Sequence, residues 1–419
     1  MQNTIFVQVA SYRDPDLYNT VDDMFANSKY KDNLHLSICW QNSKEDAWEN
    51  IGRLKSVSNN IEIIDIDYKD SKGVCWARNM VQSRYSGEKY TLQIDSHHRF
   101  VEDWDDKLID MLELLRSDGY NKPILTTYAP SFDPNQYPIG RIEELWKMNF
   151  DRFIPEGAVF FMPSRFTVYD NDEKPLPSRF YSAHFAFADG IFCQQVKHDP
   201  NFYFHGEEIS IAVRAFTHGY DLFHPNKIIL WHEYTRENRT KHWDDHYAWS
   251  KVNADSHRRN RSLLSIDNEN NVEDFAEYGL GNSRTLKDYE KYAGISFSNR
   301  SITNDVINQI PPDLKNIQCS DEIFQKKLIR IFKHCIDINR DQVSSVPDYD
   351  FWCVVFKDSD GHDIFRKDAD EKEIKILLSS KDPYIKLWRE FHAESQPKQW
   401  VVWPHSAKLG WQNQIKGDL

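Results

Sequence analysis

Short apolar runs that each end in polar or charged residues, with helical stripes between them, constrain this chain more than any other feature. Ile5 to Val9 reads as a buried strand running into Ala10-Ser11-Tyr12-Arg13. Asp14 then caps a helix with Pro15 at its first position, and Leu17, Val21, Met24 and Phe25 form its apolar stripe. Strands follow at Leu34 to Trp40 and at Ile61 to Ile66, the second delivering Asp65 and Asp67 at its end. Gly73 leads into a short helix carrying Arg78. Thr91 to Ile94 is the next strand, and Trp104, Leu108, Met111, Leu112 and Leu115 mark an amphipathic helix before a strand at Ile124 to Tyr128. This order predicts an open α/β sheet, on which ligands gather at the carboxyl ends of the strands.

The strand at Thr91 delivers Asp95-Ser96-His97-His98. In extended backbone, residues i and i+2 point the same way, so Asp95 and His97 can converge on one ion, whereas His98 points away from Asp95 and His97. One carboxylate and one imidazole with room for a further ligand suit a catalytic divalent cation better than a closed structural site. An Asp capping a turn before surface histidines would leave the same pattern. Ala158 to Phe161, Ala183 to Phe187 and Ile228 to Trp231 are further strands, and the last delivers His232. Asp95, His97 and His232 are thus expected at strand ends of one sheet. A cation held by so few protein groups keeps positions open for substrate oxygens such as those of a diphosphate, and two imidazoles favour Mn2+ over Mg2+. Glu207 and Glu208 open a helix whose apolar face is Ile209, Ala212, Val213 and Phe216, where acids also complement the helix dipole.

The formal charge of −13 argues against a general nucleic-acid binder, whose phosphate contacts need a basic surface. Six scattered cysteines without a C-x-x-C give neither a zinc ribbon nor a disulfide framework. The start has no basic n-region, and no apolar run approaches the roughly 20 residues of a membrane span, so the expectation is a cytoplasmic protein without a transmembrane segment.

Glu237 to Arg261 is polar and basic, and reads as a loop near the cleft or a solvated face. Phe324, Leu328, Ile331 and Cys335 fit one face of a helix. From about Asp348 a separate small unit is expected. In it, Phe351 to Phe356 and Ile364-Phe365 flank a hairpin turn at Asp358-Ser359-Asp360-Gly361, Ile385 to Phe391 looks helical, and Trp400 to Trp403 is a strand.

Several of these stretches together resemble a known family. They are Phe6 to Pro15, Ile38-Cys39-Trp40-Gln41, Ala77-Arg78-Asn79, Asp95 to Phe100, His205-Gly206-Glu207-Glu208, Gly219-Tyr220-Asp221 with Pro225, and His232 to Arg236. In order over roughly residues 3 to 300, they resemble the cytoplasmic polypeptide-hydroxyproline N-acetylglucosaminyltransferases, glycosyltransferase family 60. More distantly, the D-x-H, G-E-E and late-His pattern looks like that of the polypeptide N-acetylgalactosaminyltransferases. The resemblance implies an α/β GT-A fold, a Rossmann-like open mixed sheet flanked by helices. The catalytic domain would cover 1–262, a helical extension 263–345, and a small α+β accessory domain 346–419.

It also implies a retaining transferase that uses a UDP-sugar, UDP-GlcNAc or UDP-GalNAc, with Mn2+ or Mg2+. By position, Asp95, His97 and His232 would be the metal ligands, and Ala10, Ser11 and Arg13 would border uridine with Asp67 near it. Gly73, Arg78 and Ser96 would lie beside the nucleotide, and Glu207 and Glu208 would face the donor sugar and acceptor hydroxyl. The acceptor stays open between a protein hydroxyproline and a capsular or lipopolysaccharide glycan. Two other functions remain compatible with the residues: a metal-assisted phosphoesterase acting on nucleotide sugars, and a non-catalytic sugar-binding protein on the same fold.

Overall fold

The computed structural model describes residues 3–46, 48, 51–167, 170, 173–235, 239–266, 273–343, 348–393 and 395–419. The chain divides into two compact units, residues 1–298 with 305–320, and residues 299–304 with 321–419.

The first unit is built on an eight-stranded mixed sheet in the order β3-β2-β1-β4-β10-β6-β11-β9. Strands β1 (Ile5–Tyr12), β2 (Leu34–Asn42), β3 (Ile61–Asp67) and β4 (Tyr90–Ile94) are parallel neighbours. The two-residue periodicity of β1 explains why both sheet faces are covered. Ile5, Val7 and Val9 pack with helices α1 (Leu17–Asn27) and α3 (Trp104–Ser117), while Phe6 packs on the opposite face with Ala77 and Val81 of α2 (Val74–Gln82). Each large apolar side chain buried this way contributes about 1.5–3 kcal/mol. The α/β expectation holds, as an open mixed sheet with helices on both faces.

The remaining strands of this unit are β5 (His98–Phe100), β6 (Pro123–Thr126), β7 (Trp146–Phe153), β8 (Val159–Arg165), β9 (Leu176–Pro177), β10 (Phe185–Asp189), β11 (Asp221–His224) and β12 (Leu230–His232). β10 inserts antiparallel between β4 and β6, making the sheet mixed. β12 pairs antiparallel with β5 in a separate two-stranded ribbon, with His232 opposite His98. His232 therefore ends a ribbon, and not a strand of the main sheet as the sequence suggested. Glu207 and Glu208 do open a helix, α4 (Glu207–Thr217).

Two expectations for this unit change. Asp14 lies ahead of the cap of α1, which is Asp16. The polar stretch 237–261, so far as it is described, includes most of a sixteen-residue helix, α5 (Trp249–Leu264). Its buried face is carried by Ser256, Asn260, Leu263 and Leu264, a helical spacing hidden because its first members are polar. Arg236 of the His232 motif lies outside the described residues.

In the second unit, Ser301–Thr303, Leu328–Asn339 and Tyr384–Ala393 pair in one sheet, and Tyr349–Lys357, Asp363–Arg366 and Gln399–Ser406 belong to a six-stranded one. Ile336, Ile338, Leu387 and Phe391 of the first share a core with Trp352, Val354, Phe356 and Val402 of the second. The hairpin around Asp358 and the strand at Trp400 form as expected. The helices expected over Phe324 to Cys335 and at Ile385 to Phe391 give way to strands, the first from Leu328 onward and the second throughout. Ile385, Leu387, Arg389 and Phe391 are buried in strict alternation with exposed neighbours, so the short apolar run obeyed period two. Helix is confined to the start of the first stretch, Asp321–Lys326.

Candidate functional site

β4 ends at Ile94 and β5 begins at His98, so Asp95, Ser96 and His97 occupy the bend between them. The ribbon brings His232 alongside. The ligand atoms of Asp95, His97 and His232 lie within 4.8 Å of one another. Asp95 Oδ2 is 3.8 Å from His97 Nε2 and 3.6 Å from His232 Nε2, and neither ring nitrogen of His232 has a hydrogen-bond partner although both are buried. Buried polar atoms are normally paired, so orphaned nitrogens beside a carboxylate and a second imidazole fit a bound cation, and one oxygen with two nitrogens suits a Mn2+-like ion. Burial alone would raise the Asp95 carboxyl, but the Arg78 guanidinium that donates to it holds it well below the ordinary carboxylate range. Burial keeps His232 neutral by pushing its pKa well down. A carboxylate and a neutral imidazole are the forms that ligate.

The helix α2 that starts at Gly73 aims Arg78 into this centre. Gly73 has φ of 107°, and a Cβ there would meet the ring of Tyr203 at 3.0 Å, so the start of the helix requires glycine. Arg78 Nη2 donates to Asp95 Oδ1 at 2.8 Å and Nη1 to Glu207 Oε1 at 2.9 Å. The Cys75 thiol donates to the other oxygen of Glu207 at 2.6 Å. Glu207 thus holds Arg78, which in turn holds Asp95. Glu208 accepts from Tyr128 Oη at 2.8 Å and from the Ala183 N–H at 2.9 Å, and burial pushes its pKa up to about 7.

Asp95 stands in the walls of two cavities. One of about 160 Å³ is also lined by Ala10, Gly73, Ser96, His97 and Tyr203. The other, of about 540 Å³, is lined by Arg78, Glu207, Glu208, His232 and Tyr128. Three residues expected near the nucleotide line neither. Ser11 is buried, Asp67 caps a turn by accepting from the Lys69 N–H, and Arg13 is clamped between Asp46 at 2.7 Å and Asp245 at 2.9 Å.

Sequence reading passed over four residues that the fold gathers here. Asp14 is buried against His97, with Oδ2 2.7 Å from Nδ1. Arg239 reaches the same place, pairing with Asp14 at 3.2 Å and Glu233 at 2.6 Å. His184 stacks on His232 with ring centroids 4.2 Å apart, and Tyr128 holds Glu208. A histidine inside the apolar run Ala183 to Phe187 was the available signal for His184. His98 packs against His232 but spends Nδ1 on the Asp95 carbonyl.

An open mixed sheet with an acid and two imidazoles gathered beside its strand ends, at the junction of two cavities, defines an α/β protein with a candidate ligand site at the usual place for its architecture. The model of the family described as Glycosyltransferase (GlcNAc) matches residues 4–58 and 49–299, well over half of the chain, and the protein belongs to that family. No curated protein matches the chain. Similar solved structures include GalNAc-T7 with UDP, GalNAc and Mn2+, at 12% identity and a TM-score of 0.45 over 73% of this chain and 56% of that one. Another is the mannosyltransferase PcManGT from Pyrobaculum calidifontis with GDP-Man and Mn2+, at 11% identity and 0.38 over 57% and 59%. A third is TarS of S. aureus, at 9% identity and 0.37 over 99% and 77%. The chain spans little more than half the length of the first of these. Among the described residues no helix is long and apolar enough to cross a membrane.

Proposed function

We propose that this protein is a retaining, metal-dependent GT-A glycosyltransferase of the family 60 type, moving GlcNAc from UDP-GlcNAc to a hydroxyl on a glycan or a hydroxyproline-like protein acceptor. The observation that carries the reading is the place of Asp95 in the walls of both cavities. A nucleotide in the smaller and a sugar in the larger would be joined by their diphosphate across Asp95, His97 and His232. Membership of the glycosyltransferase family supports it independently.

The chain's own groups divide the work. Asp95, His97 and His232 would hold a Mn2+ or Mg2+ ion, which when bound neutralises charge developing on a departing diphosphate. Arg78, locked by Glu207, places a fixed positive charge beside the same position. Glu208 and Tyr128 line the larger cavity, where a carboxyl with a pKa near 7 can hold or release a proton close to an acceptor hydroxyl. All six cysteines are free, in keeping with a reducing compartment such as the cytoplasm.

Assaying UDP release over a panel of UDP-GlcNAc, UDP-GalNAc and UDP-glucose with Mn2+, with the product anomer read by NMR, tests the reading. The expected result is UDP release from UDP-GlcNAc, dependent on acceptor, with an α-linked product. UMP and sugar 1-phosphate formed in equal amount whatever the acceptor would instead identify a metal-dependent nucleotide-sugar phosphoesterase.

A further inference from the structure

Asp14 sits at the centre of a set of contacts that a helix cap does not need. Its Oδ1 accepts from the Asp16 N–H at 3.0 Å. Its Oδ2 accepts from Ser96 Oγ at 2.7 Å, faces His97 Nδ1 at 2.7 Å, and takes Arg239 Nη1 at 3.2 Å. The carboxylate is buried. A carboxylate can only accept, so a 2.7 Å contact with an imidazole nitrogen requires the proton to be on that nitrogen. In the neutral ring Nε2 then keeps its lone pair, and Nε2 is the atom that faces Asp95.

From this geometry we infer that Asp14 is a positioning residue that fixes His97 as the Nδ1–H tautomer, so that Nε2 is presented to the cation site. A ligating imidazole whose other nitrogen is held by a carboxylate is both oriented and made more basic. Arg239 Nη1 also touches His97 Nδ1, but its N–H groups have acceptors in Asp14 and Glu233. Were Arg239 instead the donor to Nδ1, two lone pairs would face each other between His97 and Asp14. The inference rests on the reading that Asp95, His97 and His232 bind a divalent cation, and it adds what prepares one of those ligands.

The variant Asp14→Asn separates shape from charge. The Asp16 N–H holds the amide oxygen in place of Oδ1, so the amide NH2 replaces Oδ2 and donates to His97 Nδ1, moving the ring proton to Nε2. The experiment uses the full chain, metal-free, with 15N-labelled histidine. Long-range 1H–15N spectra give the tautomer of His97, whose signals are identified by their loss in His97→Gln, and EPR titration with Mn2+ alone gives the affinity. The expected results are Nδ1–H in the wild type, Nε2–H in Asp14→Asn, and Mn2+ binding weakened about 10- to 100-fold.

Nε2–H in the wild type overturns the inference. So does a folded Asp14→Asn that keeps both the tautomer and the affinity. If Asp14→Asn does not fold by circular dichroism, the wild-type tautomer decides. If the wild type binds no Mn2+ while Asp14→Asn still switches the tautomer, Asp14 sets His97 as inferred and the cation reading falls alone.

Discussion

Two groups of potential metal ligands, one buried and one half-buried, lie near each other in the first unit, and they differ in how their hydrogen bonds are spent. Cys75, His198 and Glu207 could hold an ion by composition, as could Asp95, His97 and His232. In the first group the side chains have satisfied one another. Cys75 donates to Glu207, Arg78 takes the second oxygen of Glu207, and His198 Nε2 is 2.7 Å from Gln93 Oε1. In the second, both nitrogens of His232 are unpartnered, and Asp95 Oδ2 faces imidazoles at 3.6 and 3.8 Å. Ligand type makes a site conceivable, and unspent hydrogen-bonding capacity separates a binding site from a structural network.

The strongest way to break this comparison is Asp95→Ala, which should lower sugar transfer at least about a thousandfold and abolish Mn2+ binding by EPR. An equal loss of Mn2+ affinity in Cys75→Ala would mean that the wrong group had been chosen. Glu207→Ala should act on stability, because it takes one of two carboxylate partners from the buried Arg78 and leaves the Cys75 thiol unpaired. Urea unfolding should show a loss of about 1–3 kcal/mol.

Glu208→Gln sharpens the comparison through pH. The folded protein holds the Glu208 carboxyl at about 7, against 4.5 ordinarily, because it is buried. The native state therefore binds the extra proton between those values, so stability falls as pH rises from 4.5 through 7 and the cost persists above. It amounts to about 3 kcal/mol. The Gln variant should flatten that part of the stability profile, measured by denaturant titration at each pH. The smallest effect is expected for Cys75→Ala itself: about 1 kcal/mol of stability for one buried hydrogen bond, with Mn2+ affinity unchanged.

Legibility in the sequence followed physical periodicity. The parallel strands β1 to β4 were visible because each is an apolar run that ends in polar residues; Asp95, His97 and His232 were expected together as strand ends of one sheet, and they do meet, but His232 arrives on the ribbon and not on the main sheet. Where polar residues carry the buried face, as Ser256 and Asn260 do in α5, the pattern was silent. Ile385 to Phe391 was misread because a short apolar run fits either period until its partner strand is known. Asp14 was legible only as a cap, since its contact with His97 spans most of the β1 to β4 segment of the chain. His184 and Arg239 become part of the site only once β10 and the β5–β12 ribbon are in place.

That ribbon sets when the site can exist. His97 is made early in synthesis, but His232 arrives only after four more strands of the main sheet, and the β5–β12 pairing that seats it closes a long loop. Such closure is entropically costly and slow compared with local contacts. A growing chain would have to carry the Asp95 bend as an unfinished surface until β12 docks, and the ability to hold a ligand would appear in one step, late, with the sheet already formed.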